Sequence, residues 1–180
     1  MRILGIDPGS NVTGYGVVER LGAQIVHVAH GTIRTPAKQP LAKRLAMIQR
    51  ELCAAIEAHR PDRAVVESVF VSRNPTSALV LGQARGAILA ALGSYDLPVE
   101  ELAARQIKKA VTGAGSAEKA QVQAMVARLL ELPRAPAEDA ADALAAAICL
   151  AQMGRLADVD LPSRSRRRRR RSLAPPGTTP

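Results

Sequence analysis

Apolar positions along this chain follow two rhythms, short runs near the start and helical repeats later. Ile3, Leu4, Gly5 and Ile6 form a run that Asp7, Pro8 and Gly9 stop, the pattern of a strand buried on both faces and ended by a tight turn. Further strands are predicted at 14–20 and 24–34, with connections short enough to make all three hairpin-linked. Downstream the pattern predicts a helix over 41–59, a strand over 63–70 ("RAVVESVF"), a helix over 75–92 and a short strand near 98–102 ("PVEEL"). Helices over 103–111, 117–131 and 138–153 follow. Hairpins first and helix-separated strands afterwards imply an α/β fold, a mixed sheet with helices on its faces. After Leu161 the stretch "PSRSRRRRRRSLAPPGTTP" has no apolar period. The expected organisation is one folded domain over 1–157 and a disordered Arg-rich tail over 158–180.

Charge changes this picture only locally. The 180 residues carry 25 Lys and Arg against 16 Asp and Glu, a formal net charge of +9. Arg164 and Arg166 through Arg171 supply seven of those positive charges, which leaves 18 basic side chains against 16 acidic elsewhere. An anionic partner of the folded domain must then meet a local basic patch beside local acids. Cys53 and Cys149 have no paired spacing and read as small core residues in a reducing compartment. His27, His30 and His59 form no ligand cluster with them. The short apolar start runs straight into Asp7, unlike a secretory signal, and "SALVLGQARGAILAALG" is broken by Gln83 and Arg85 and reads as too short for a bilayer span. A soluble, cytoplasmic protein with no membrane partner is expected.

Carboxylates at three places stand out against their surroundings. Asp7 closes a buried strand, where it serves either as a turn cap or as part of a site. Glu67 lies between Ala64–Val66 and Val69–Val71, and a carboxylate in such a run needs an Arg partner or a metal. Asp139 and Asp142 share one face at the start of an otherwise apolar helix; acids there suit the helix dipole, and they also suit a hard divalent cation whose remaining positions are filled by water and phosphate oxygens. Gly113 and Gly115 break the chain, Ser116 reads as an N-cap, and Lys119 then occupies the third helical position. A cation there opposes the dipole unless an anion docks at the helix start. Local rules alone leave Lys119 a solvated side chain and Phe70, three residues past Glu67, a core residue.

In this order, over about residues 2–153, the segments "GIDPGSNVTGYGVV", "ALVLGQARG", "ARQIKKAVTGAGSAEKAQVQ" and "AEDAADALAAAI" resemble the successive signatures of the RuvC family of Holliday junction resolvases. The resemblance implies a ribonuclease H-like fold, a mixed five-stranded sheet flanked by helices. It implies that Asp7, Glu67, Asp139 and Asp142 are the catalytic and metal-binding residues, holding Mg²⁺, two ions per active site, with Mn²⁺ as a substitute. It implies DNA contacts from Lys108 and Lys119 near the cut, with Arg105 beside Lys108 on one helical face, and stacking of Phe70 on bases opened at the junction centre. The implied activity is a structure-specific endonuclease that resolves four-way junctions in homologous recombination and DNA repair by paired, symmetric nicks. The implied partners are four-way junction DNA, a second copy of the chain and the RuvA/RuvB branch-migration complex. The Arg-rich tail is outside the resemblance.

Two other classes fit less of the chain. "GIDPGS" also resembles the first phosphate loop of actin-like and sugar-kinase ATPases, which need a second nucleotide lobe that 180 residues cannot supply. A DNA-binding module without chemistry has no use for four acids beside a polyanion. The helix over 75–92 is apolar nearly all round, with Leu79, Gly82, Gly86 and Leu89 on one stripe and Val80, Ala84, Ala87, Ile88 and Ala91 on another. Two buried faces predict two partners, the sheet and the same helix of a second copy; a central helix of a monomer is the alternative.

Overall fold

The computed structural model describes residues 1–68 and 74–159. β1 (Arg2–Asp7), β2 (Val12–Leu21) and β3 (Gln24–Arg34) form the expected antiparallel meander. The chain crosses through α1 (Leu41–His59) to β4 (Arg63–Ser68), which lies parallel to β1 on its other side, and through α2 (Pro75–Gly93) to β5 (Val99–Ala103), parallel to β4. The sheet order is β3-β2-β1-β4-β5, so β1 is central. α3 (Ala104–Thr112), α4 (Lys119–Leu129) and α5 (Glu138–Val159) follow.

Strand alternation splits the core into two layers. Ile3, Val18, Val65 and Leu102 face α3, α4 and α5, while Leu4, Ile6, Val17, Ala64 and Val66 face α1 and α2. Each fully buried Ile, Leu or Val contributes about 1.5–3 kcal/mol relative to exposure, so both layers are needed to hold the central strands. Cys149 is buried and Cys53 half-buried, and both are free thiols.

Several boundaries differ from expectation for identifiable reasons. β4 is described to Ser68, so the predicted strand residues 69–70, with Phe70, lie outside the described residues, as does 160–180 of the expected tail. α4 starts at Lys119, not at 117, and Ser116 is not its cap. Ala117 turns back on the carbonyl of Ala114, and Glu118 caps the helix in a reciprocal box with Gln121. Lys119 is thus the first helical residue rather than the third. Between β2 and β3 the register slips at Val17/Val18, leaving Val28 of β3 as a bulge that places His27 and His30 on one face with Nε2 and Nδ1 2.8 Å apart.

α2 is covered on one side only. Ala84, Ile88, Ala91 and Leu92 are buried, whereas Leu79 is 65% exposed. By length and composition α2 would suffice to cross a bilayer, which corrects the expectation that it is too short. Arg85 nevertheless ties it to the sheet, bonding the backbone of β4 and pairing with Glu101 on β5.

Candidate active site

Because β1 and β4 run parallel, their C-terminal ends lie on the same edge of the sheet. The pairing Ile6↔Val66 leaves Asp7 and Glu67 one step further on, side by side. Both continue the rows of Ile3, Gly5 and Val65, so they face α5. Asp139 and Asp142 come from the first turns of α5.

What brings that helix so close is the absence of side chains on the sheet. Gly14 is the cross-strand partner of Asp7, and a Cβ on it would lie 1.9 Å from the carbonyl oxygen of Asp139. At Gly5 a Cβ would lie 2.0 Å from the carbonyl oxygen of Ala143. The backbone of α5 therefore rests directly on β1 and β2, and Gly14 sets the height of Asp139 over Asp7. The turn that follows Asp7 is fixed from the opposite helical layer. Arg44, buried on α1, donates to the carbonyl of Ser10, to Asn11 Oδ1 at 2.6 Å and to Thr35 Oγ1 at 3.2 Å.

The four acids act on one another. Burial, and then the charges of Glu67, Asp142 and Asp139, push the Asp7 carboxyl up to about 8, against a smaller opposing effect of Lys119. Glu67 is also raised, by burial and then by Asp142, with Lys108 and Lys119 pulling the other way. Burial raises Asp142 as well, against Lys119 and Lys108. Carboxylates gathered in a poorly solvated site resist ionising together, which is why the upward shifts share a direction. Among the described residues no group of three or more His, Cys, Asp or Glu side chains is gathered tightly enough to hold a metal by itself. The donor set, oxygen only and short of positive charge, suits a hard divalent cation.

Lys108 and Lys119 both reach this site electrostatically, as the shifts of Glu67 and Asp142 show. Lys119 also bonds the carboxylate of Glu138, the first residue of α5. Its placement at a helix start is thus met by an acid of this chain. Arg105 is exposed, lies along Gly115 and is not among the leading charges acting on the shifted carboxyls. Phe70 is outside the described residues. Sequence reasoning missed Gly14, Arg44, Arg85 and Glu138. Two of them left a trace, Arg85 as a charged break in an apolar helix and Glu138 as an acid suited to a helix start. A groove of about 400 Å³ between α3 and α4, lined by Thr112, Ala117, Gln121 and Met125, lies off the acids.

This sheet order, with helices on both faces and acids at the exit of the central strands, is the α/β architecture of ribonuclease H-like nucleases. The family model described as crossover junction endodeoxyribonuclease RuvC matches residues 3–150, and the chain belongs to that family. A crossover junction endodeoxyribonuclease RuvC from Alkalilimnicola ehrlichii is 54% identical over 166 residues, covering 92% of this chain and 97% of that protein. Its counterpart from Neisseria meningitidis is 54% identical over 148 residues, covering 82% of this chain and 83% of the other. Among solved structures, Thermus thermophilus RuvC in complex with a Holliday junction substrate superposes with a TM-score of 0.82 at 33% identity, over 87% of this chain and 96% of that one.

Proposed function

We propose that this protein is a metal-dependent endonuclease that resolves four-way DNA junctions in recombination and repair, with Asp7, Glu67, Asp139 and Asp142 as its metal-binding and catalytic carboxylates. The observation that carries the site is the convergence of acids from β1, β4 and α5, close enough for the other three to raise Asp7. Bound Mg²⁺, two ions in this reading and replaceable by Mn²⁺, would supply Lewis-acid stabilisation of the attacking and leaving oxygens of a phosphodiester. Asp7 and Glu67, held on adjacent strands, fix the floor of the site. Asp139 and Asp142 close it from the helix start. Lys108 and Lys119 draw the substrate phosphates onto the acids, Arg105 extends that basic face, and Phe70 stacks on an unpaired base, a contact worth about 1–3 kcal/mol.

A four-way junction presents two symmetry-related strands, and a two-fold pair of copies joined through α2 would cut both. The outer face of α2 supports this reading, since Leu79 is exposed and, among the described residues, a Cβ on Gly82 or Gly86 would meet nothing within 4 Å. The RuvA/RuvB branch-migration complex is the proposed protein partner, in the cytoplasm. The tail over 158–180 would add sequence-independent phosphate contacts through its seven Arg.

The test compares a synthetic four-way junction with a linear duplex of the same sequence, with and without Mg²⁺. Cleavage of the junction alone, and only with the metal, is expected. Asp7→Asn, Glu67→Gln, Asp139→Asn and Asp142→Asn should each slow cleavage at least about a thousandfold, roughly 4 kcal/mol of barrier, while junction affinity persists through the many backbone contacts. Wild-type turnover in any one variant removes that residue from the site. A monomer at micromolar concentration in sedimentation would end the symmetric-cut reading.

A further inference from the structure

We infer that Arg85 is a positioning residue for cleavage, holding the strand end that carries Glu67 at a fixed height and linking it to the helix with the exposed apolar face. The inference rests on the reading of Glu67 as a metal-binding carboxylate. Arg85 sits in the middle of α2 with its side chain only 17% exposed. Its Nη1 donates to the carbonyl oxygen of Glu67 at 2.9 Å, and its Nη2 pairs with Glu101 Oε2 at 2.7 Å. Glu67 pairs with Leu102 on β5, but the pairing with β1 stops one residue earlier, at Val66. The end of β4 has therefore lost a ladder on one side at the residue where precision matters. The guanidinium supplies a hydrogen bond there.

The two bonds differ in what they can do. Glu101 is 54% exposed, so its ion pair is screened by water and is a weak source of stability. The bond to the Glu67 carbonyl is part-buried and reaches the backbone of a candidate metal ligand directly. A guanidinium spans both acceptors because its donors form a rigid planar fork, whereas an ammonium is a single point charge. Arg85 thus uses Glu101 as an anchor to aim a donor at Glu67. It also hydrogen-bonds the backbone of the strand of the site, while its neighbour Gly86 faces open space. Disturbing the outer face of α2 would reach Glu67 through this side chain.

The experiment uses the full chain and three variants, Arg85→Ala, Arg85→Lys and Glu101→Gln, with Glu67→Gln alongside. Four quantities are read: the cleavage rate at saturating junction in Mg²⁺, junction affinity in Ca²⁺, the thermal midpoint, and Mn²⁺ affinity of the DNA-free protein by calorimetry. Arg85→Ala should slow cleavage by about ten- to a hundredfold, the effect of misplacing a reacting group. It should weaken Mn²⁺ binding and leave junction affinity within about twofold, since a loss confined to the catalytic step leaves ground-state binding alone. Arg85→Lys should keep the Glu101 pair and recover the thermal midpoint without recovering the cleavage rate. Glu101→Gln should slow cleavage less than either. Wild-type cleavage in Arg85→Ala, or recovery of cleavage by Lys in step with the thermal midpoint, would reduce Arg85 to a helix anchor and overturn the inference. Should Glu67→Gln itself cut at the wild-type rate, the underlying reading of Glu67 fails instead, a result that the Mn²⁺ titration of that variant would show separately.

Discussion

α5 and α2 are both long, rich in Ala and Leu and apolar on every side, yet α5 is enclosed from Ala143 to Ala151 while α2 leaves Leu79 65% exposed. The difference lies in what each helix meets. α5 lies on Gly5 and Gly14, positions without side chains, and its own Ala residues let backbone approach backbone. α2 packs one stripe against Leu4, Ile6, Val66 and α1, while on its other side Leu79 stays exposed among the described residues. Apolar character all round a helix tells how many faces want cover. The cover itself is decided by residues far away in sequence, or on another chain.

That comparison can be strained most at α5. Leu144, fully buried, packs over Gly16. Leu144→Ala should cost about 2–5 kcal/mol in urea unfolding. A cost below 1 kcal/mol would mean that α5 is not packed tightly onto β1 and β2. Gly14→Ala comes next. Overpacking should lower stability by about 1–3 kcal/mol, and displacement of Asp139 should slow cleavage by about ten- to a hundredfold. Full cleavage by a well-folded Gly14→Ala would show that the height of α5 does not govern Asp139.

At α2 the expected effects are smaller in the single chain and are read in association. Gly86→Leu meets open space and gains up to about 1 kcal/mol of helix propensity, so the thermal midpoint of dilute protein should hold or rise while sedimentation shifts from dimer to monomer. A dimer of unchanged strength would place the pairing surface elsewhere. Leu79→Ser should change the stability of the dilute chain by no more than about 0.5 kcal/mol, as is usual for an exposed position. A larger loss that vanishes on dilution would sharpen the contrast, because it would locate the missing cover of α2 on a second copy.

Much of this was legible in the sequence where a residue contradicts its neighbours. Asp7 and Glu67 are conspicuous because a carboxylate at the end of an apolar run or within one is locally costly, and Asp139 and Asp142 because an apolar helix begins with them. A mixed sheet follows from hairpins first and crossovers later, and the observed sheet has both antiparallel and parallel pairs. Other features were illegible because their meaning is a distant contact. Gly14 reads as an ordinary weak point of a strand until Asp139 is found against it. Arg44 reads as one more surface charge until it is seen gripping Ser10 and Asn11. The start of α4 was misplaced for a local reason. Ser116 is the better cap by composition, but the turn at Ala114–Ala117 uses it up, and the box of Glu118 with Gln121 has the right spacing with a less usual residue.

The order in which these elements leave the ribosome gives the glycine-lined contact a further meaning. β1, β2 and β3 pair locally and can form while synthesis continues, since contacts close in sequence cost little loop entropy. Their inner face, with Gly5, Gly14 and Ile3, stays uncovered until α5 has been made, because that helix supplies the facing half of the layer. The nascent chain therefore holds Asp7 early but receives Asp139 and Asp142 only with the last helix described. A partly made chain has neither a closed core nor the full set of acids. On the proposed assignment of these acids, cutting cannot begin before α5 is made, so an enzyme whose errors would break DNA is silent while its chain is being synthesised.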